Sequence, residues 1–117
     1  MKLEVTNGLK KLQSHCKGAH IDEANLLFSL PSKKTLLLSP SEKADVQLTD
    51  ARLPPNMTLT FLVKDKKTYL KINVLPIDII RPYPESLSLK PNENYELRKG
   101  DIVEIFHQAY ILRILQL

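Results

Sequence analysis

The sequence predicts an all-β fold, an antiparallel sandwich of about ten short strands. Short segments in which apolar and polar residues alternate at a period of two recur along the chain, and turn-forming residues separate them. Eight prolines and three glycines favour many turns and few long helices. With 43% hydrophobic residues the chain can bury one core, so we expect a single domain spanning residues 1–117.

The individual strands follow from this alternation. The clearest is 57–63, and a turn at 65–67 joins it to a returning strand at 68–74. A second turn is predicted at 32–34. Residues 9–20 contain few apolar positions, so we interpret them as a polar loop with one helical turn. The ten predicted strands are 2–6, 21–30, 35–38, 45–48, 57–63, 68–74, 77–80, 86–89, 102–106 and 110–114.

The last two predicted strands follow a tight turn at residues 99–101. Gly100 allows the positive φ that such a turn often needs, and Asp101 can bond the backbone two residues on. A polar break at His107 and Gln108 separates the two strands. The alternation assigns most of the core to Leu36, Leu38, Val46, Leu48, Leu59, Phe61, Leu70, Ile72, Val103, Ile105, Ile111 and Ile114.

Composition and charge restrict the function. The net charge of +4 is mildly basic, but the lysines are spread along the chain without interleaved aromatic residues, which favours a solvated surface over a nucleic-acid partner. A single cysteine excludes an internal disulfide and fits a reducing compartment. We expect neither a membrane span nor a signal peptide within the chain, because no apolar run is long enough.

The order of several segments resembles the forkhead-associated (FHA) domain. Residues 41–50, SEKADVQLTD, are similar to a family segment in which Asp45 matches an aspartate and Val46 and Leu48 match apolar positions. Residues 97–106, LRKGDIVEIF, are similar to the family's turn and strand near its end. The resemblance covers roughly residues 34–114, and it implies an FHA-like antiparallel β-sandwich.

The chain departs from this family where phosphothreonine is bound. The family uses an arginine after a glycine, a serine, and a later asparagine to donate hydrogen bonds to the phosphate. Here Leu38-Ser39 stands at the Gly-Arg position and Pro54-Pro55 at the serine motif, and proline has neither a hydroxyl nor a backbone N–H. Arg52 or Arg81 would be the available substitutes. Tight binding of phosphothreonine peptides is therefore not expected.

An FHA-like sandwich without this clamp is similar to the cytoplasmic domain of the type III secretion system inner-membrane ring proteins. The opening LEVTNG at 3–8 and FSLP at 28–31 are similar to that family's first strands. The resemblance implies a structural docking module on the cytoplasmic side of the bacterial inner membrane, linking the ring to cytoplasmic sorting-platform components. It also implies membrane attachment through a segment outside this chain, and a monomeric isolated domain. The alternative is a signalling adaptor that binds phosphothreonine peptides.

Residues that could carry chemistry do not form a recognised pattern. His15, Cys16 and His20 are types that bind zinc, but a fourth ligand is missing unless His107 joins them. The carboxylates Asp22-Glu23 point to opposite faces of an extended segment, and Asp45 and Asp50 are interpreted as turn residues. We therefore predict no enzyme activity, no small-molecule substrate, no metal and no cofactor.

Loops on a rigid scaffold are where binding residues usually lie. The candidates for protein binding are exposed loop residues at one end of the predicted sandwich. The alternative is that these residues belong to ordinary solvated turns. The predicted protein-binding residues are Lys43, Arg52, Asn56 and Arg81, with Glu42, Pro54, Pro55 and Tyr83 as neighbours.

Overall fold

The computed structural model describes residues 1–28, 35–74, 77–81, 85–106 and 108–117. These residues include thirteen strands and one short 3-10 helix at Leu9–Lys11. The strands are β1 (Lys2–Asn7), β2 (Leu12–Ser14), β3 (Ala19–Asp22), β4 (Asn25–Phe28), β5 (Thr35–Ser39), β6 (Val46–Leu48), β7 (Leu59–Lys64), β8 (Lys67–Ile72), β9 (Ile77–Arg81), β10 (Glu85–Ser88), β11 (Asn94–Glu96), β12 (Ile102–Ile105) and β13 (Tyr110–Gln116).

Two sheets form a sandwich, which confirms the predicted all-β class. The first sheet has the order β10-β9-β12-β13-β1-β4-β3, and the second has the order β11-β8-β7-β5-β6-β2. Among the described residues the paired strands are antiparallel, except that β5 and β6 are parallel. The tight turn between β2 and β3 carries the chain from the second sheet to the first and closes one side of the sandwich.

The core lies between the sheets and is aliphatic, with Tyr110 and Phe61 as its largest fully buried side chains. Phe28 of the first sheet contacts Phe61 of the second with ring centroids 6.0 Å apart. Every predicted core residue except Ile111 is buried. Ile111 is only partly buried, because β13 turns Tyr110, Leu112 and Ile114 inward instead.

Residues 9–20 differ from the prediction of a polar loop. The 3-10 helix is the predicted helical turn, but β2 and β3 follow it. β2 pairs with β6 and β3 pairs with β4, so distant partners impose strand structure on a segment with a weak pattern of its own. Residues 21–30 were predicted as one strand, yet a turn with Glu23 at a φ of 54° divides β3 from β4.

The turn before β12 forms where it was predicted. Gly100 has a φ of 91°, and the backbone N–H of Asp101 donates to the carbonyl of Arg98 over 3.0 Å. The carboxylate of Asp101 accepts from the backbone N–H of Arg98, three residues back along the chain, over 2.8 Å. The predicted turn at 32–34, the segment 29–31 and His107 lie outside the described residues.

Candidate protein-docking site

Two connections between strands of the second sheet emerge at the same end of the sandwich. They are residues 40–45, between β5 and β6, and residues 49–58, between β6 and β7. Leu38 pairs with both Val46 and Leu59, which brings the two connections together beyond the end of β5. We name residues 40–45 and 49–58 the loop end. Three of the four predicted protein-binding residues lie here.

A buried carboxylate organises the start of the longer connection. The side chain of Asp50 is only 6% exposed, and its two oxygens face two cations. Lys11 Nζ lies 2.8 Å from Oδ2, while Arg52 donates from Nη2 to Oδ2 over 2.6 Å and from Nε to Oδ1 over 3.0 Å. These hydrogen bonds, above all those from Arg52, hold the pKa of Asp50 far below its ordinary value.

Tyr110 ties this connection to the first sheet. Its ring is buried in the core, and its hydroxyl donates to the carbonyl of Lys11 over 2.7 Å. The same hydroxyl accepts from the backbone N–H of Asp50 over 3.1 Å. The Lys11 ammonium lies 5.4 Å from the ring centroid, within the range of a cation–π contact. Burial raises the pKa of the Tyr110 hydroxyl. One side chain of β13 therefore joins the 3-10 helix to the loop end.

Asn73 holds the other end of the same connection. Its Oδ1 accepts from the backbone N–H of Thr58 over 2.7 Å, and its Nδ2 donates to the carbonyl of Asn56 over 2.7 Å. Between the two fixed points, Leu53 and Met57 are buried in the core. Residues 49–58 are thus held at both ends and anchored in the middle, which gives their exposed side chains a defined position.

The predicted binding residues of the loop end are all exposed, but they differ in whether their side chains are held by another residue. Lys43 and Asn56 are exposed, and Lys43 lies in a turn whose backbone is fixed by hydrogen bonds to Ser41. Arg52 has a side chain that is 69% exposed, but its guanidinium is bound edge-on to Asp50. Arg52 therefore supports the shape of the connection as well as lining its surface.

Arg81 lies at the opposite end of the sandwich from these three residues. It ends β9, whose first residue, Ile77, pairs with Ile105 next to Tyr110. Arg81 is four residue steps along the strand from Ile77, a distance of about 13 Å. Arg81 therefore belongs to a different surface, and its predicted neighbour Tyr83 lies outside the described residues.

The histidine and cysteine cluster is spread over a connection and a strand. His15 Nε2 lies 2.8 Å from Gln47 Oε1, Cys16 is partly buried, and His20 lies on β3 with an exposed side chain. Within the described ranges, no group of three or more His, Cys, Asp or Glu side chains is placed to hold a metal ion.

Sequence reasoning missed the three residues that shape the site. Asp50 was interpreted as a turn residue, and it does make a turn, since its Oδ1 accepts from the backbone N–H of Arg52 over 3.0 Å. Asn73 was placed inside a strand, whereas β8 ends at Ile72. Tyr110 was placed in a strand without a role for its hydroxyl. The Asp50-Arg52 spacing of two was the one local signal, because a carboxylate in a turn can accept from the backbone N–H two residues on.

Comparisons with protein-family models, with curated proteins and with solved structures found no match. No helix in the part of the chain that the structure describes is both long and apolar enough to cross a membrane.

Proposed function

We propose that this chain is a protein-docking module, the cytoplasmic domain of a type III secretion inner-membrane ring protein. On this proposal it lies at the cytoplasmic side of the bacterial inner membrane and links the ring to sorting-platform components. The observation that carries the docking role is the loop end. Asn56 is exposed there on a connection fixed by Tyr110 and Asn73, and Lys43 is exposed on a turn fixed by Ser41. A pre-organised surface loses little conformational freedom when a partner binds.

The finer assignment to a secretion ring rests on the FHA-like order of segments together with the altered phosphate clamp. The two-sheet architecture is compatible with that order. A single loop end of this size offers few contacts, so we expect weak binding by each copy. Several copies in a ring would strengthen it, because linked sites act at a high effective concentration.

The geometry of Arg52 disfavours the alternative function of a phosphothreonine adaptor. A phosphate at the loop end would need charge-assisted hydrogen bonds from an arginine. Arg52 already donates to both oxygens of Asp50, so a phosphate would have to compete with a carboxylate that is part of the fold. Calorimetry with phosphothreonine peptides tests this alternative. Micromolar, phosphate-dependent binding would favour the adaptor over the docking module.

Site-specific photo-crosslinking in the source bacterium tests the docking proposal. A photoreactive amino acid is placed at Lys43 or Asn56, and at Lys64 as a matched exposed position on the last residue of β7, at the other end of the sandwich. We expect crosslinks to a sorting-platform component from positions 43 and 56 and none from position 64. Equal yields at all three positions, or no secretion component among the crosslinked proteins, would contradict the proposal.

Charge reversal adds a functional measurement to the same test. Lys43→Glu is preferable to a change at Arg52, because Arg52 also holds Asp50 whereas Lys43 is exposed. Substitutions at such exposed positions usually change stability by less than about 0.5 kcal/mol. We expect Lys43→Glu to weaken recruitment of the partner and secretion while the melting temperature stays unchanged. Normal recruitment and secretion would remove Lys43 from the interface.

A further inference from the structure

The end of the sandwich opposite the loop end carries two neighbouring turns rich in basic residues. One turn joins β7 to β8 at residues 64–67, and the other precedes β12 at residues 98–101. We name this surface the basic end and define it by Lys64, Lys66, Lys67, Arg98 and Lys99, all of which are exposed.

Backbone contacts fix the two turns side by side. The N–H of Leu97 donates to the carbonyl of Thr68 over 2.8 Å, immediately after β11 pairs with β8. Lys67 Nζ lies 3.5 Å from Glu96 across this junction. Because each turn is anchored by a strand pair, the basic side chains of both project from the same end of the molecule.

The first of the two turns is a two-residue hairpin. Lys64 pairs with Lys67, and the residues between them, Asp65 and Lys66, have φ angles of 52° and 64°. Positive φ at both central positions is the geometry of the tight turns that connect adjacent antiparallel strands. The loop is therefore as short as a hairpin allows, and its lysines lie at the tip of the sheet, where their side chains are exposed.

The charge balance at the basic end differs from that at the loop end. The five basic residues face Asp65, Glu96 and Asp101, and the last of these is buried beneath its own turn. At the loop end, by contrast, Asp50 alone binds two of the nearby cations, Lys11 and Arg52. The basic end thus holds five exposed cations against two acids besides the buried Asp101, in a chain whose net charge is +4.

We propose that the basic end binds a surface of anionic lipid headgroups. Four of its five cations are lysines, compact point charges that suit a diffuse negative surface, whereas specific phosphate recognition usually relies on the arginine fork. Each basic residue held near an anionic membrane strengthens binding by a factor of roughly five. The site lies at the opposite end from the docking site, so the inference does not depend on the proposed function.

A nucleic acid is the competing polyanion, and the surface suits it less well. Single strands usually lie in a positively charged groove with aromatic stacking platforms. Three concave surfaces of the described residues lie on the outer face of the second sheet, beside the N-terminus, and around residues 5–11. None of these three is lined by a residue of the basic end. Two turn tips on one end fit a flat surface better than a strand in a groove.

Vesicle co-sedimentation of the full chain tests the inference. The probe is a vesicle of phosphatidylcholine and phosphatidylglycerol in a two-to-one mixture, with pure phosphatidylcholine as the reference. We expect binding to the anionic vesicles alone, and release as the salt concentration rises, because exposed charges more than a Debye length apart are screened. Equal binding to both vesicles, or no binding to either at low salt, would overturn the proposal.

Two matched double variants test whether vesicle binding depends on the position of the basic residues or only on the net charge of the chain. Lys64→Glu with Lys99→Glu changes the basic end, while Lys10→Glu with Lys90→Glu makes the same change in net charge with exposed residues outside both the basic end and the loop end. We expect the first pair to lose vesicle affinity by roughly tenfold or more and the second to change it little. Equal losses would overturn the proposal, since net charge alone would then explain the binding.

Two further measurements cover the remaining outcomes. If the variant with both glutamates at the basic end does not fold, Lys64→Gln with Lys99→Gln removes the same two cations without adding acids, and we expect it to weaken vesicle binding as well.

In a parallel experiment, a short DNA duplex is added as a competitor at the same concentration of phosphate groups. Displacement of the chain from vesicles by the duplex, with tighter binding to the duplex, would assign the surface to nucleic acid instead.

Discussion

The two ends of this sandwich are built by different means. At the loop end, ten residues of irregular chain at 49–58 are fixed by side chains from distant parts of the sequence, chiefly Tyr110, Lys11 and Asn73. At the basic end, the turn at 64–67 is fixed by its own backbone conformation and by strand pairing. The first end depends on buried polar contacts, whereas the second depends on short loops.

This difference has a consequence for how each end tolerates change. Removing one partner of a buried hydrogen bond leaves the other unsatisfied and costs about 1–3 kcal/mol. Replacing an exposed lysine on a tight turn leaves no buried group without a hydrogen-bond partner. Most substitutions there should therefore alter the charge without altering the stability. The loop end should therefore be sensitive to mutation and the basic end tolerant of it. Three predictions test this comparison.

The largest effect is expected at Gly8, just before the 3-10 helix. Its φ is 91°, and a Cβ added there would lie 2.6 Å from Tyr110 Cδ1 and 2.7 Å from the carbonyl oxygen of Ala109. Gly8→Ala therefore combines a strained backbone with displacement of the Tyr110 ring, and we expect it to lower the free energy of unfolding by about 3 kcal/mol. Urea denaturation measures this value.

Gly100 provides the control for that prediction at the other end. It has the same φ of 91°, but it lies in the turn before β12, far along the sheet from Tyr110. We expect Gly100→Ala to cost about 1 kcal/mol, the cost of an unfavourable backbone conformation. Equal losses for the two variants would mean that the contact of Gly8 with Tyr110 contributes nothing beyond the backbone.

The next effect concerns Asp50 and depends on pH. Because Arg52 and Lys11 lower its pKa in the folded state, the ionised carboxylate stabilises the fold above the unfolded pKa of about 4. That contribution is lost as the pH falls below this value. We expect Asp50→Asn to cost about 2 kcal/mol at neutral pH, a value reduced from that of a fully buried pair because Arg52 is mostly exposed.

The measurement is the free energy of unfolding of both proteins from neutral pH down to acid. The difference between the native protein and Asp50→Asn should be constant near neutral pH and should shrink below about pH 4. Glu42→Gln, an exposed acid of the same end, should change stability at neutral pH by less than about 0.5 kcal/mol. A difference between native protein and Asp50→Asn that persists unchanged into acid would show that the carboxylate charge is not what holds this connection.

The strands of the fold could be predicted because alternation is a local property. β7 and β8 carry it clearly, and both formed close to the predicted positions. β2 and β11 are three residues long and have little apolar pattern, so their strand structure comes from pairing with β6 and β8. Such strands cannot be found without knowing which distant segment lies beside them.

Tyr110 shows why Ile111 was wrongly assigned to the core while Ile114 was assigned correctly. In β13 three consecutive residues, Tyr110, Ile111 and Leu112, are all suited to a core, so either phase of the alternation was possible. The phase observed buries the tyrosine, which is favourable only because its hydroxyl finds the carbonyl of Lys11 and the N–H of Asp50. These partners lie 99 and 60 residues away in sequence, beyond any local pattern.

The candidate site was predictable to a similar extent. Exposed loop residues such as Lys43 and Asn56 could be identified because turn-forming neighbours place them outside the strands. That Arg81 lies at the other end could not, since it depends on the register of β9 against β12. The contacts of Asn73 with residues 56 and 58 are equally a product of the pairing of β7 with β8.

The smallest effect is expected for the ion pair of Lys67 and Glu96 at the basic end. The two atoms lie 3.5 Å apart, and the side chains are 60% and 40% exposed. A double-mutant cycle with Lys67→Ala and Glu96→Ala should give a coupling energy below about 0.5 kcal/mol that disappears at high salt, because exposed pairs are solvated and screened. The same cycle on Lys11 and Asp50, whose atoms are 2.8 Å apart with the carboxylate buried, should give about 1–2 kcal/mol with less dependence on salt. Equal coupling energies at the two ends would contradict the comparison, because the loop end would then owe its shape to backbone turns in the same way as the basic end.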